Sequence, residues 1–132
     1  MKFGHIINTI KPEENPNLFS LQALTLKSMV DAKAYFKLGS VDLFAIQDKG
    51  PWPDYPEFKP LTSLGRSIID YLPNTSTSLP LIQDILDAAK ENISCDYLIY
   101  TNCDIILTPH FYESVAYYLS QGHDALVINR QR

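Results

Sequence analysis

The residues best suited to chemistry in this sequence stand together at positions 101–104, which read Thr-Asn-Cys-Asp. They directly follow the apolar and aromatic run at 97–100, so polarity begins abruptly at the end of a predicted strand. Asn102 and Asp104 are two positions apart, and side chains at that spacing point to the same side of an extended backbone. Two oxygen donors that converge suit a hard divalent cation such as Mg²⁺ or Mn²⁺, which takes its remaining ligands from water and phosphate. The pattern therefore predicts a metal site that could hold a diphosphate.

Both residues also have an ordinary structural interpretation. Aspartate and asparagine are preferred at helix N-caps and in turns. Asp104 could cap a helix predicted to begin a few residues later, and Asn102 could turn the chain. The sequence leaves the structural and the metal-binding interpretations open.

The elements that must position this motif alternate between strands and helices. Apolar runs predict strands at 3–7, 41–46, 97–100 and 125–128, while helical spacing of apolar residues predicts helices at 21–38, 79–92 and 109–120. Gly122 is predicted to cap the last helix. The alternation predicts right-handed crossovers and an α/β domain with a mainly parallel sheet and helices on both faces. Residues 47–60 contain four prolines, which predict a long loop without a regular element.

In an open parallel sheet, ligands bind outside the carboxyl ends of the strands. Besides the motif at 101–104, the predicted strand ends carry Asn8, Thr9 and Asp48. Arg66 lies between Gly65 and Ser67 and could contact phosphate through its guanidinium fork. A surface salt bridge is the alternative role for Arg66.

Three aromatic residues lie in or near the proline-rich loop: Trp52, Tyr55 and Phe58. Their rings could form a stacking platform for a base or a sugar. They could equally attach a long loop to the body of the fold. The sequence does not separate these two interpretations.

Length and charge restrict the function classes. A chain of 132 residues accommodates one domain, spanning 1–132. The net charge is −4 and the basic residues are scattered, so nucleic acid is not an expected partner. An abruptly ending sheet could expose an edge, which makes a homo-oligomer plausible.

The N-terminus has only a short apolar run, and no stretch of membrane-spanning length occurs, so we expect a cytoplasmic protein without a membrane span. Cys95 and Cys103 flank one predicted strand, which would hold them too far apart for a disulfide. We expect free thiols, and their spacing fits no zinc pattern.

The order of elements, together with CDYLIYTNCDIILTPHFYESV at 95–115, resembles the GT-A type nucleotide-diphospho-sugar transferases. In that family an Asp-x-Asp or related motif ends a central strand and binds a metal and, through it, the diphosphate of a nucleotide-sugar. The resemblance implies a three-layer Rossmann-like fold, Mg²⁺ or Mn²⁺ as cofactor, Asp104 as metal ligand and Asn102 in the first acidic position. Asn102 departs from the pattern because its amide offers an oxygen but no charge.

The resemblance also implies that Asn8, Thr9 and Asp48 hold the nucleoside. Two functions follow: a glycosyltransferase with a nucleotide-sugar donor and an unknown acceptor, or a non-catalytic nucleotide-sugar-binding module. Because the GT-A fold usually continues beyond the strand after the metal motif, we expect a partial member. An unrelated small hydrolase is disfavoured, since no Gly-x-Ser-x-Gly, P-loop or Gly-x-Gly-x-x-Gly pattern is present.

Overall fold

A computed structural model describes residues 1–47, 55–61, 66–74 and 81–129. Its elements in chain order are β1 (Lys2–Asn8), α1 (Pro16–Tyr35), β2 (Ser40–Ile46), β3 (Phe58–Pro60), a 3₁₀ turn (Ile68–Asp70), α2 (Ile82–Asn92), β4 (Tyr97–Thr101) and α3 (Phe111–Ser120). The predicted order of strands and helices is confirmed from β1 to α3, apart from the additional strand β3. Within it, none of the helices has the length and apolar character needed to cross a membrane.

The four strands form one sheet in the order β3-β2-β1-β4. All three pairings are parallel, which confirms the prediction of a mainly parallel sheet. β1 lies between β2 and β4, so its residues are covered on both faces and along both edges. Its burial reflects this position, because every residue from Phe3 to Asn8 is buried.

Helices cover both faces of the sheet, as the two core clusters show. On one face, Phe3 and Ile7 of β1 pack in a cluster with residues of α1 and α3, among them Met29 and Tyr112. On the other face, the even-numbered Ile6 packs in a cluster with α2. The two-residue alternation of a strand thus distributes β1 between two cores.

The predicted strand at 125–128 is wrong, since these residues form no regular element and Val127 is 96% exposed. The position of α3 gives the reason. α3 packs on the same face as α1, whereas a strand beyond β4 would extend the sheet away from β2. Such a crossover would have the opposite hand to β1-α1-β2, and only one hand is common.

The prediction that no regular element interrupts 47–60 is also wrong, because β3 pairs with β2 at the edge of the sheet. Pro60 fits there, since an edge strand leaves one side of its backbone unpaired. The strand has only three residues. A run this short has no periodicity that a sequence pattern could reveal.

α1 begins five residues before its predicted start. The side chain of Asn15 caps it by accepting a hydrogen bond from the Leu18 backbone N–H at 3.1 Å, and Pro16 follows at the first helical position. This Asn-Pro pair is a recognised start signal that apolar spacing does not detect. α2 begins at Ile82 instead of near 79; residues 79 and 80 lie outside the described residues.

Candidate functional site at the carboxyl edge of the sheet

The carboxyl end of the central strand carries a buried polar residue that lacks a complete set of partners. Asn8 ends β1 and is 3% exposed. Its side-chain oxygen Oδ1 has no hydrogen-bond partner among the described residues. Buried polar groups almost always find a partner, so such an acceptor in a native fold calls for an explanation. A ligand that donates a hydrogen bond would supply one.

The residues after Asn8 are held firmly. The backbone N–H of Thr9 donates to the Ile46 carbonyl at 2.8 Å, and its hydroxyl reaches the same oxygen at 3.5 Å. The side chain of Gln22 in α1 forms two hydrogen bonds with the Ile10 backbone. Its Oε1 accepts from the Ile10 N–H at 2.8 Å, and its Nε2 donates to the Ile10 carbonyl at 3.3 Å. The Thr9 hydroxyl therefore bonds the backbone, and the chain after Asn8 is fixed by hydrogen bonds to β2 and α1.

β4 brings the second group of predicted residues to the same edge. Ile7 pairs with Thr101, so Asn8 and Asn102 are each the next residue along the chain from this last pair of β1 and β4. The chain leaves β1 toward β2 on one side, while β4 lies on the other side and is reached from β3. The connections thus diverge between β1 and β4, and ligands of open parallel sheets bind at such a point.

The proposed extended spacing of Asn102 and Asp104 is wrong. β4 ends at Thr101, and the Ile105 N–H donates to the Asn102 carbonyl at 3.3 Å, which closes a turn. Side chains two apart in a turn do not share a face as they would in a strand. The Asn102 side chain is exposed, and its Oδ1 accepts from the Tyr100 hydroxyl at 3.2 Å. Asp104 is partly buried in the same turn.

The alternative that Asp104 caps the following helix is also wrong. α3 starts at Phe111, and its N-cap is His110, which forms no side-chain capping bond. Asp104 lies six positions earlier. For Asn102 the turn interpretation is correct, since asparagine is favoured at the first position of such turns.

The electrostatics of the turn favour oxygen over sulfur chemistry. Cys95 and Cys103 are both free thiols, as predicted. Burial, together with the nearby Asp104 carboxylate, raises the pKa of Cys103 to about 11. The Cys103 thiol is thus protonated at neutral pH and is a poor metal ligand.

In the described ranges, no three or more histidine, cysteine, aspartate or glutamate side chains are grouped so that they could hold a metal ion. A divalent cation at the 102–105 turn would accordingly draw part of its coordination from phosphate oxygens and water. That is the usual arrangement for Mg²⁺, which is held by one or two carboxylates together with substrate phosphates.

Arg66 is engaged in a bidentate ion pair. Its Nε donates to Asp84 Oδ2 at 2.6 Å, its Nη2 contacts Asp84 Oδ1, and its Nη1 donates to the Tyr71 hydroxyl at 3.1 Å. Hydrogen bonding to the guanidinium lowers the pKa of Asp84, which is nearly buried in the first turn of α2. The salt-bridge alternative describes what Arg66 does in this structure, and its predicted phosphate contact stays a prediction.

Two predicted residues, Asp48 and Trp52, lie outside the described residues. The other two aromatics of the proline-rich region pack against the body of the fold. Phe58 is buried on β3, and the partly buried Tyr55 meets its ring edge-on at 6.3 Å. For these two rings, attachment of the loop is the role that the structure supports.

Sequence reasoning missed His5. This residue lies in the middle of β1, is 0% exposed and forms two side-chain hydrogen bonds: Nδ1 to the Tyr112 hydroxyl at 2.7 Å and Nε2 to Thr101 Oγ1 at 2.8 Å. Burial lowers its pKa to about 3, so the ring is neutral. The available signal was a histidine inside an apolar strand run, where a titratable side chain requires partners.

Comparisons with models of protein families, with curated proteins and with solved structures find no match to this chain. Any function therefore has to be argued from the geometry of the site.

Proposed function

We propose that this chain is a GT-A-like protein that binds a nucleotide-sugar in the crevice between the carboxyl ends of β1 and β4. The observation that carries the proposal is the amide oxygen of Asn8, which has no hydrogen-bond partner within the part of the chain that the structure describes. It is buried at the point where the connections of a parallel sheet diverge, which is where such sheets bind nucleotides. A hydroxyl or imide N–H of a nucleoside is a donor of the required kind.

The strand order supports a Rossmann-like interpretation of the sheet. The order β3-β2-β1-β4 with all strands parallel corresponds to the first half, and the turning point, of a doubly wound sheet. Helices on both faces agree with it. In this arrangement the nucleoside would lie toward Asn8 and Thr9, and the diphosphate toward the turn after β4.

Asp104 and Asn102 are the proposed ligands of Mg²⁺ or Mn²⁺. Asp104 would supply the charged oxygen donor, and the Asn102 amide, which bonds Tyr100 in the turn, would have to reorient to add a neutral one. The cation would therefore take most of its ligands from the diphosphate and water. When bound, the cation would neutralise phosphate charge that the Asp104 carboxylate would otherwise repel. Asp48 is the further proposed nucleoside contact.

Binding without transfer is the alternative, and one contact favours it. His110 and Glu113, which could complete a catalytic site, pair with each other at 3.1 Å at the start of α3, where the His110 side chain is exposed and that of Glu113 is partly buried. His110 also contacts the Tyr35 ring edge-on, with centroids 4.5 Å apart. Sugar transfer therefore needs its own assay, with release of nucleoside diphosphate in the presence of candidate acceptors as the readout.

Titration calorimetry with UDP-, GDP- and dTDP-linked sugars, each with Mn²⁺ and with EDTA, tests the binding. We expect one of these donors to bind the wild type at least about tenfold more tightly with Mn²⁺. Asp104→Ala should remove that difference. Asp87→Ala is the matched control, because Asp87 is an exposed carboxylate of α2 whose Oδ1 accepts from Gln83 Nε2 at 3.0 Å.

Metal dependence that persists in Asp104→Ala would remove Asp104 from the site. The absence of binding by every donor would overturn the proposed function itself.

A further inference from the structure

The two bonds of His5 reach both ends of one loop. Thr101 is the last residue of β4, and Tyr112 is the second residue of α3, so the residues between these two partners are 102–111. The proposed metal ligands, Asn102 and Asp104, lie in the first part of this segment. A single buried ring on the central strand thus contacts the residue before the loop and the first turn of the helix after it.

The chemistry of a neutral imidazole makes this connection complete. One ring nitrogen donates and the other accepts, while hydroxyl groups do either. With Nδ1 protonated, Nδ1–H donates to Tyr112 and Nε2 accepts from Thr101; the other tautomer reverses both directions. In either case both ring nitrogens are satisfied, as a fully buried polar side chain requires.

Packing around the ring limits its movement. Tyr112 meets the imidazole edge-on with centroids 5.8 Å apart, and the Phe111 ring stacks on it at 6.0 Å. The loop is also attached to α1, since the Leu107 N–H donates to Ser28 Oγ at 2.9 Å and the His110 ring contacts Tyr35. The first two residues of α3, Phe111 and Tyr112, thus pack against the His5 ring, and His5 in turn bonds Tyr112.

We propose that His5 is a positioning residue, which holds the 102–110 loop in its ligand-binding conformation by linking Thr101 to Tyr112 across the core. An apolar side chain at position 5 would fill the core equally well but would leave both hydroxyls without this partner. The consequence for ligand affinity rests on the proposed function. The consequence for the order of the loop does not.

Two near-isosteric variants test the link from opposite ends: Tyr112→Phe removes one hydroxyl and Thr101→Val removes the other. Two matched controls remove the same groups elsewhere. Tyr97→Phe changes a core-facing tyrosine of β4, whose ring lies 6.3 Å from Phe3, and Thr25→Val changes a buried α1 threonine that donates to Leu21 O at 3.3 Å.

Amide hydrogen exchange of the ligand-free proteins is the first readout. We expect exchange at 102–110 to accelerate about tenfold or more in both test variants, relative to α2 of the same protein and to the controls. Affinity for the nucleotide-sugar that the wild type binds is the second readout, and we expect it to fall in the test variants while the controls retain it. Either test variant alone is sufficient if the other does not fold.

Exchange at 102–110 that matches the controls, or that rises evenly over the whole protein, would overturn the inference. If the loop exchanges faster as expected while even the wild type binds no nucleotide-sugar, the positioning role stands and the proposed function fails.

Discussion

Two buried polar side chains on β1 differ in how well their hydrogen-bonding groups are satisfied. His5 satisfies both of its ring nitrogens within the core. Asn8, three residues later at the strand end, leaves its Oδ1 without a partner in the described part of the chain. An unsatisfied buried acceptor costs stability, whereas a satisfied one contributes to a unique core. An acceptor that lowers the stability of the free protein in this way is expected where a ligand supplies the missing hydrogen bond, which agrees with the proposed role of Asn8.

Replacing Asn8 with leucine should therefore stabilise the ligand-free protein. Leucine has the same number and branching of side-chain heavy atoms and removes the acceptor that lacks a partner among the described residues, so we expect the free energy of unfolding to rise by about 1 kcal/mol and nucleotide-sugar binding to weaken. Urea unfolding measures the first effect. Asn92→Leu is the control. Asn92 Nδ2 donates to the Ala88 carbonyl at 2.8 Å, so this variant loses a hydrogen bond and its free energy of unfolding should fall. Equal destabilisation of both variants would contradict the assignment of Asn8.

His5 should make folding sensitive to mild acid. Its pKa is about 3 in the folded protein, lowered by burial from 6.5, so between these values the unfolded chain binds a proton that the native state excludes. The free energy of unfolding is thus not reduced by His5 above pH 6.5, and it falls as the pH drops from 6.5 toward 3. We expect a loss of about 2 kcal/mol at pH 5 relative to pH 7.5. Thr101 and Phe111 beside the ring do not titrate, and burial raises the pKa of Tyr112.

Urea unfolding at the two pH values measures this loss. His5→Gln keeps hydrogen-bonding capacity without titrating in this range, so its stability should change much less between pH 7.5 and pH 5. An equal pH dependence in wild type and His5→Gln would assign the effect to other groups.

At the scale of elements, the sequence predicted what depends on local pattern and failed where tertiary contacts decide. The apolar runs of β1, β2 and β4 are long enough to identify, and so are the three helices. β3 exists because three residues pair with an edge, and the absence of a strand at 125–128 depends on which face α3 occupies. The spacing of apolar residues along the sequence predicts neither of these two features.

The same distinction holds for the candidate site. The rule that strand ends carry function correctly located Asn8 and Asn102 at one edge of the sheet. It assumed an extended backbone through Asp104, whereas the chain turns immediately after Thr101. The two bonds of His5 join it to residues more than 90 positions away, so no local pattern predicts them. Whether Asn8 Oδ1 finds a partner likewise depends on the tertiary structure around it.

The end of α3 gives a local test of the described backbone. Gly122 has a φ of +94°, a left-handed conformation that residues with a Cβ disfavour, and a Cβ there would meet no atom within 4 Å. Gly122→Ala should thus lower the free energy of unfolding by about 1 kcal/mol through backbone strain alone. Gly122→Asn should cost less, since asparagine tolerates this region. Equal stability of Gly122→Ala and wild type in urea would contradict the assigned turn.

At the scale of the whole molecule, topology makes the proposed site. Residues that are far apart in sequence, at 8–10 and 102–105, meet at one edge because β1 and β4 pair in parallel. α1 bonds the first segment through Gln22, and it bonds the chain just after the second segment through Ser28, which accepts from the Leu107 N–H. His5 bonds Thr101 and Tyr112, the residues on either side of 102–111. Both segments of the proposed site are therefore tied to the core by side-chain hydrogen bonds.

The central claim is that this edge binds a nucleotide-sugar, and mapping by ¹H–¹⁵N NMR tests it most directly. The ¹⁵N-labelled wild-type protein is titrated with UDP-glucose, GDP-mannose and a dTDP-linked sugar in the presence of Mg²⁺. We predict that one of them shifts the amide resonances of 8–10 and 102–105 together, in a saturable manner and with one dissociation constant. Saturable shifts confined to another surface, such as the exposed face of α3, or no saturable shifts with any of the three donors, would contradict the claim.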